Sequence, residues 1–90
     1  MPIFKARIQV RLKAGILDPQ GQTIAHALQS LGFAQVQSVR TGKLMELELT
    51  AENREMAEDI VKRACDKLLA NPVTEEYSFE IEDVEEDVAV

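Results

Sequence analysis

Few side chains in this sequence stand at spacings that support catalysis. Cys65 is the single cysteine and His26 the single histidine. Neither has a Cys, His or acidic cluster at ligand spacing beside it, so no metal site is expected. Cys65 falls on the apolar stripe of a helix-like stretch and reads as a core residue. His26 has no sequence-local partner for acid/base work, and Ser30, Ser38 and Ser78 have no neighbouring base to activate a hydroxyl. Glu75-Glu76 and Glu85-Glu86-Asp87 read as solvated charge rather than paired catalytic acids. No catalytic residue is therefore expected in this chain.

Three polar segments could bind rather than react. The joint Leu12-Lys13-Ala14-Gly15-Ile16-Leu17-Asp18-Pro19-Gln20-Gly21 separates a strand pattern from a helix pattern. A glycine-bearing joint of this kind can cradle phosphate at a helix N-terminus. Asp18, however, puts a negative charge where the phosphate would sit, and neither P-loop nor dinucleotide spacing is present. Asp18 suits an N-cap, Pro19 the first helical position, and Gly15 the turn out of the strand. Arg40-Thr41-Gly42-Lys43 puts two cations at a turn. That is either an ordinary solubilising tip or a reach toward a partner subunit or an anionic ligand. Leu69-Ala70-Asn71-Pro72-Val73 stops a helix, since the residue before proline avoids the helical region.

The elements that must position these segments follow from periodicity. From Phe4 to Lys13, apolar and polar residues alternate as in a strand with one buried face. Pro19 to about Leu31 is a helix, with Ile24, Ala27, Leu28 and Leu31 on one side and Gly32 ending it. Phe33 to Thr50 reads as a hairpin with Val36 and Val39 in a short first arm, Thr41-Gly42 as the turn, and Met45, Leu47 and Leu49 in the second arm. A second helix, capped at Thr50, runs to about Leu69 and carries Met56, Ala57, Ile60, Val61, Ala64, Cys65 and Leu68 on its apolar stripe. Glu75 to Glu82 is the last strand, with Tyr77, Phe79 and Ile81 on one face.

The order β-α-β-β-α-β predicts an α+β fold: a ferredoxin-like two-layer sandwich, with a four-stranded antiparallel sheet and two helices on one face. Residues 1–82 make one domain, and 83–90 form an acidic tail expected to be disordered. Right-handed crossovers put the first strand in the middle of the sheet. Its outward Lys5, Arg7, Arg11 and Lys13 then lie beside Glu46 and Glu48 on one side and Glu76, Glu80 and Glu82 on the other. That face is either a solvated lattice of ion pairs or a polar surface meeting another subunit.

Composition narrows the function classes. The net charge of −6 argues against nucleic-acid and anionic-membrane partners. The sheet also lacks the outward aromatic residues on which an RNA-recognition domain stacks bases. No apolar run is long enough to span a bilayer, no signal-peptide pattern opens the chain, and one unpaired cysteine suits a reducing cytoplasm. A metal chaperone of this fold would want a cysteine pair near the first joint, and none is there. Residue chemistry alone ends at a small, acidic ferredoxin-like domain that self-associates.

The joint Leu12–Gly21, then Val39-Arg40-Thr41-Gly42-Lys43, then Leu68-Leu69-Ala70-Asn71-Pro72-Val73-Thr74-Glu75 together resemble the PurS subunit family of phosphoribosylformylglycinamidine synthase. The resemblance covers roughly Pro2 to Glu82. It implies a small non-catalytic subunit in de novo purine biosynthesis that joins a glutaminase (PurQ) to a synthetase (PurL) and assists ammonia transfer. The complex, a ligase, uses ATP, Mg and glutamine to convert formylglycinamide ribonucleotide to the amidine, and this chain itself binds none of them. The resemblance also implies a homo-oligomer, a dimer or tetramer. Asp18, Gln20, Arg40, Lys43 and Asn71 are expected at inter-subunit surfaces. Gly15, Pro19, Gly42 and Pro72 are expected to shape the backbone. Other readings are a ferredoxin-like regulatory module that binds a small molecule, and an acylphosphatase-type enzyme, against which Asp18 argues.

Overall fold

Alternation along residues 3–12 gives strand β1 (Ile3–Leu12), in which Phe4, Ala6, Ile8 and Val10 are buried on one face. The computed structural model describes residues 1–84. Strands β2 (Gly42–Thr50) and β3 (Glu75–Val84) flank β1, both antiparallel to it, in the order β2-β1-β3. β1 is central, as right-handed crossovers predict, and its charges meet opposite charges on both sides. Lys5 lies opposite Glu48 and Glu82, Arg7 opposite Glu46 and Glu80, and Arg11 opposite Glu76. Arg7 Nε sits 3.0 Å from Glu46 Oε2, Arg7 Nη2 3.4 Å from Glu82 Oε1, and Arg11 Nε 3.3 Å from Glu76 Oε1. These pairs are half exposed, so they help to fix register more than they stabilise the fold.

The sheet has three strands among the described residues, not the expected four. The segment Val36–Val39 forms no strand. Its backbone instead folds back against the first helix, and β3 occupies the second edge of β1. Gly42 likewise is no hairpin-turn residue: it opens β2 opposite Arg11. A Cβ there would lie 2.8 Å from the Val10 carbonyl oxygen, so strand contact demands glycine.

Helix α1 (Pro19–Ser30) and helix α2 (Arg54–Ala64) follow β1 and β2 respectively. The N-cap of α2 is Asn53, whose Oδ1 accepts from Met56 N at 2.9 Å. Thr50, the expected cap, stays in the sheet opposite Ile3. Ala57, Val61 and Cys65 are fully buried, four residues apart, against Ala6, Ile8 and Val10. The helix then widens into a π turn, Cys65–Leu69, closed by Ala70 N donating to Cys65 O at 3.0 Å. The widened turn buries Ala70, half-buries Leu69 and leaves Leu68 83% exposed, so Leu68 is not on the apolar stripe.

Among the described residues, α2 is the helix that covers the sheet. The core contains no residue of α1, which corrects the expectation of two helices on one face. The Cα radius of gyration is 17.4 Å and the extents are 52 × 34 × 15 Å. A compact chain of this length would have a radius near 12 Å. The joint, α1 and residues 31–41 thus form an arm running off the sheet. β3 extends past Glu82 to Val84, and the remainder of the expected acidic tail lies outside the described residues.

Candidate functional site

The arm is built at its base by one carboxylate. Gly15, at φ +88°, turns the chain out of β1 in a conformation that disfavours any side chain. Asp18 caps α1: its Oδ1 accepts from Gly21 N at 2.9 Å. Its Oδ2 accepts from Thr41 N at 2.7 Å and from the Thr41 hydroxyl at 2.9 Å. Asp18 is 6% exposed, the one buried charged side chain among the described residues. The Thr41 and Gly21 amides, then the Thr41 hydroxyl and the Arg40 charge, hold its carboxyl below the ordinary carboxylate range despite burial. Pro19 takes the first turn of α1, as its sequence position predicts.

The strap of residues 33–41 returns along α1. Gly32, at φ +101°, ends the helix, with Gly32 N donating to Gln29 O and Phe33 N to Leu28 O. Gln29 Nε2 donates to Val36 O at 2.9 Å. A Cβ on Gly21 would stand 2.1 Å from the Val39 carbonyl oxygen, so the strap can lie this close only over glycine. Gly21 and Thr41 carry the arm's geometry, yet the sequence places them only in the joint and at a turn, with no sign that they meet the strap and Asp18. The available signal was a glycine inside a helix, where it costs about 1 kcal/mol relative to alanine and so implies a packing reason. Between joint, α1 and strap lies a cleft of about 440 Å³, whose polar lining includes Gln22, His26, Gln29, Ser38 and Arg40.

Three sequence segments meet at the arm's base. Arg40 Nη2 donates to the carbonyls of Leu12 and Lys13, at 3.0 and 3.1 Å. Lys13 Nζ donates to Pro72 O at 2.7 Å, and Lys13 N to Thr74 O at 2.9 Å. Asn71 Oδ1 accepts from Val73 N, and Asn71 N donates to Glu75 Oε1, shaping the turn that Pro72 occupies. Gln20 and Lys43 are exposed on the same end of the sheet, lining one cleft with Thr41. The structure therefore brings Asp18, Gln20, Arg40, Lys43 and Asn71 to one end of the molecule. It spends Asp18 and Asn71 largely on their own backbone. Large apolar side chains are exposed along the arm and at its base: Leu17 at 63%, Leu31 at 73%, Phe33 at 54% and Val73 at 76%.

No group of His, Cys, Asp and Glu among the described residues could hold a metal ion. No helix among them is long and apolar enough to cross a membrane. Cys65 is fully buried, and burial pushes its thiol up, away from the reactive thiolate.

Residues 5–83 match the family described as PurS: Phosphoribosylformylglycinamidine (FGAM) synthase. The PurS subunit of phosphoribosylformylglycinamidine synthase from Bacillus subtilis is 45% identical over 82 residues, covering 91% of this chain and 96% of that protein. A crystal structure of Methanocaldococcus jannaschii PurS, one of the subunits of formylglycinamide ribonucleotide amidotransferase in the purine biosynthetic pathway, superposes with a TM-score of 0.81. It is 41% identical, over 91% of this chain and 99% of that one. A chain in the structure of PurLQS from Thermotoga maritima aligns with a TM-score of 0.80 and 44% identity, over 93% of this chain and 100% of that one. With a matching family spanning nearly the whole described chain and relatives of this identity and coverage, the chain belongs to the PurS family of phosphoribosylformylglycinamidine synthase subunits.

Proposed function

We propose that this chain is the small, non-catalytic subunit that holds glutaminase and synthetase together in the phosphoribosylformylglycinamidine synthase of its cell. The likeness to a chain of the Thermotoga maritima PurLQS structure, at 44% identity over 93% of this sequence, carries this reading. ATP, Mg and glutamine then belong to the larger subunits, in the cytoplasm, and the chain alone is inert. Its part in ammonia transfer is to fix the two larger subunits in one arrangement.

The arm and its base are the contact surface in this account. Gln20, Arg40 and Lys43 face the partner, and Asp18 and Asn71 hold the segments that present them. The chain also self-associates, as a dimer or tetramer. α1 leaves the β2 side of the inner sheet face, with Met45, Leu47 and Leu49, only partly covered, and a second copy would complete that layer. The test is glutamine-dependent amidine formation by the two larger subunits with and without this chain. The proposal expects activity to require the chain and the chain alone to have none. Equal activity in its absence would contradict it.

A further inference from the structure

We propose that the cleft between the joint, α1 and the strap binds a nucleobase or nucleoside. Its walls are tied to one another. The strap runs antiparallel to α1: Val36 O accepts from Gln29 Nε2 at 2.9 Å near the helix end, and Thr41 N donates to Asp18 Oδ2 at 2.7 Å at its start. Between these ties a Cβ on Gly21 would stand 2.1 Å from Val39 O. Gln37 and Ser38 are therefore held beside the middle of α1. Arg40 ties the strap to the joint, donating to the carbonyls of Leu12 and Lys13 at 3.0 and 3.1 Å. The cleft of about 440 Å³ is thus built by the chain itself, and its volume falls within the range of about 300–1,000 Å³ usual for small-molecule sites.

The lining selects the ligand class. Asp18 and Arg40 are its charged residues, and both are engaged. Asp18 accepts three hydrogen bonds, Arg40 holds two carbonyls, and each charge acts on the other. An ionic ligand therefore finds no free countercharge. The remaining polar groups are neutral. Gln22, His26 and Gln29 follow helical spacing along the face of α1 that lines the cleft. Gln22, His26, Gln37 and Ser38 are exposed and make no side-chain hydrogen bond among the described residues, although each can both donate and accept. A carboxamide sets a donor beside an acceptor, which is the complement of a base edge; glutamine pairs in this way with adenine N6 and N7. His26 is the one aromatic ring in the lining, a surface on which a base can stack, and Ile16, Ala25 and Val39 supply apolar wall. The recognised part of the ligand is thus the base and not a phosphate. The inference goes beyond the bridging role proposed above and needs neither larger subunit.

The test is an amide NMR titration of the full chain with adenosine, uridine, AMP and ribose. The expected result is saturable shifts at Gln22, Ala25, His26, Gln37 and Ser38 with adenosine and none with ribose. AMP should bind within about twofold of adenosine, because no cation is free for its phosphate. The order of adenosine and uridine names the preferred base within the class. Gln22→Ala with Gln37→Ala, which breaks no described contact, should weaken adenosine binding at least about fivefold. Ser30→Ala with Gln35→Ala, which removes polar groups of the arm outside the cleft, should change it less than about twofold. Absence of saturable shifts up to roughly 20 mM adenosine or uridine, shifts with ribose equal to those with adenosine, or equal weakening by the two double variants overturns the proposal. AMP binding more than about tenfold tighter than adenosine would also overturn it, by assigning an anion site instead. Chain-dependent amidine formation is scored separately, so either proposal can fail while the other stands.

Discussion

The sheet with α2 and the arm are held together by different physics. Under α2, Ala6, Ile8, Ala57, Val61 and Cys65 are fully buried, and the outer face pairs its cations with carboxylates strand by strand. In the arm, Gly21 and Ala25 are the buried residues of α1, and the strap is fixed by Asp18, by Gln29 and by a close backbone approach. The first region holds the apolar core. The second has few apolar contacts and exposes the large apolar side chains of Leu17, Leu31 and Phe33. Substitutions can therefore be chosen to strike one region without the other.

The largest effect belongs to the sheet. Ile8→Ala should cost about 2–5 kcal/mol, read as a fall in the thermal melt of the whole chain. Gly21→Val should act on the arm. Its Cβ meets the Val39 carbonyl, and the resulting strain of about 1–3 kcal/mol should raise amide exchange across residues 33–41. Exchange in β1 should stay as in the parent, and equal loss of protection in both regions would abolish the distinction.

Acid should loosen the arm before the sheet. The Asp18 carboxyl is held below its ordinary value in the folded chain, so its contribution is fully present above that ordinary value, near 4. It is lost as pH falls through the lower folded value. The protection factor at Thr41, which corrects for the intrinsic pH dependence of amide exchange, should therefore be flat from about pH 7 to 5 and fall below about 4, and Asp18→Asn should flatten that fall. The smallest effect is expected on the outer sheet face. Glu76→Gln should cost only about 0.2–1 kcal/mol and matter less at high salt, measured by denaturant melts at two ionic strengths.

Much of the sheet was legible because strand alternation is a local signal. Residues 4–12, 45–49 and 75–82 announced their faces, crossover handedness placed β1 in the middle, and the charges on the three strands match that order. The course of α1 was not legible. Ile24, Ala27, Leu28 and Leu31 have the spacing of a core stripe, yet Ile24 is 38% and Leu31 73% exposed. Nothing in a stripe says whether its own sheet or another surface will cover it. Val36–Val39 was too short to tell strand from strap, and its fate rests on Gly21, a residue far from it in sequence. Leu68 moved off the stripe because one wide turn shifts every later residue around the axis. Three segments distant in sequence meet at one end of β1, a proximity that no local pattern announces. That Asp18 and Asn71 bond largely within the chain itself needed the hydrogen bonds.

The most direct test compares Gly21→Val and Glu76→Gln with the parent chain in glutamine-dependent amidine formation by the two larger subunits. If the arm is what those subunits read, the parent and Glu76→Gln support full activity, while Gly21→Val, with β1 still protected from exchange, supports little. Full support by Gly21→Val, or activity indifferent to all three, would contradict the account.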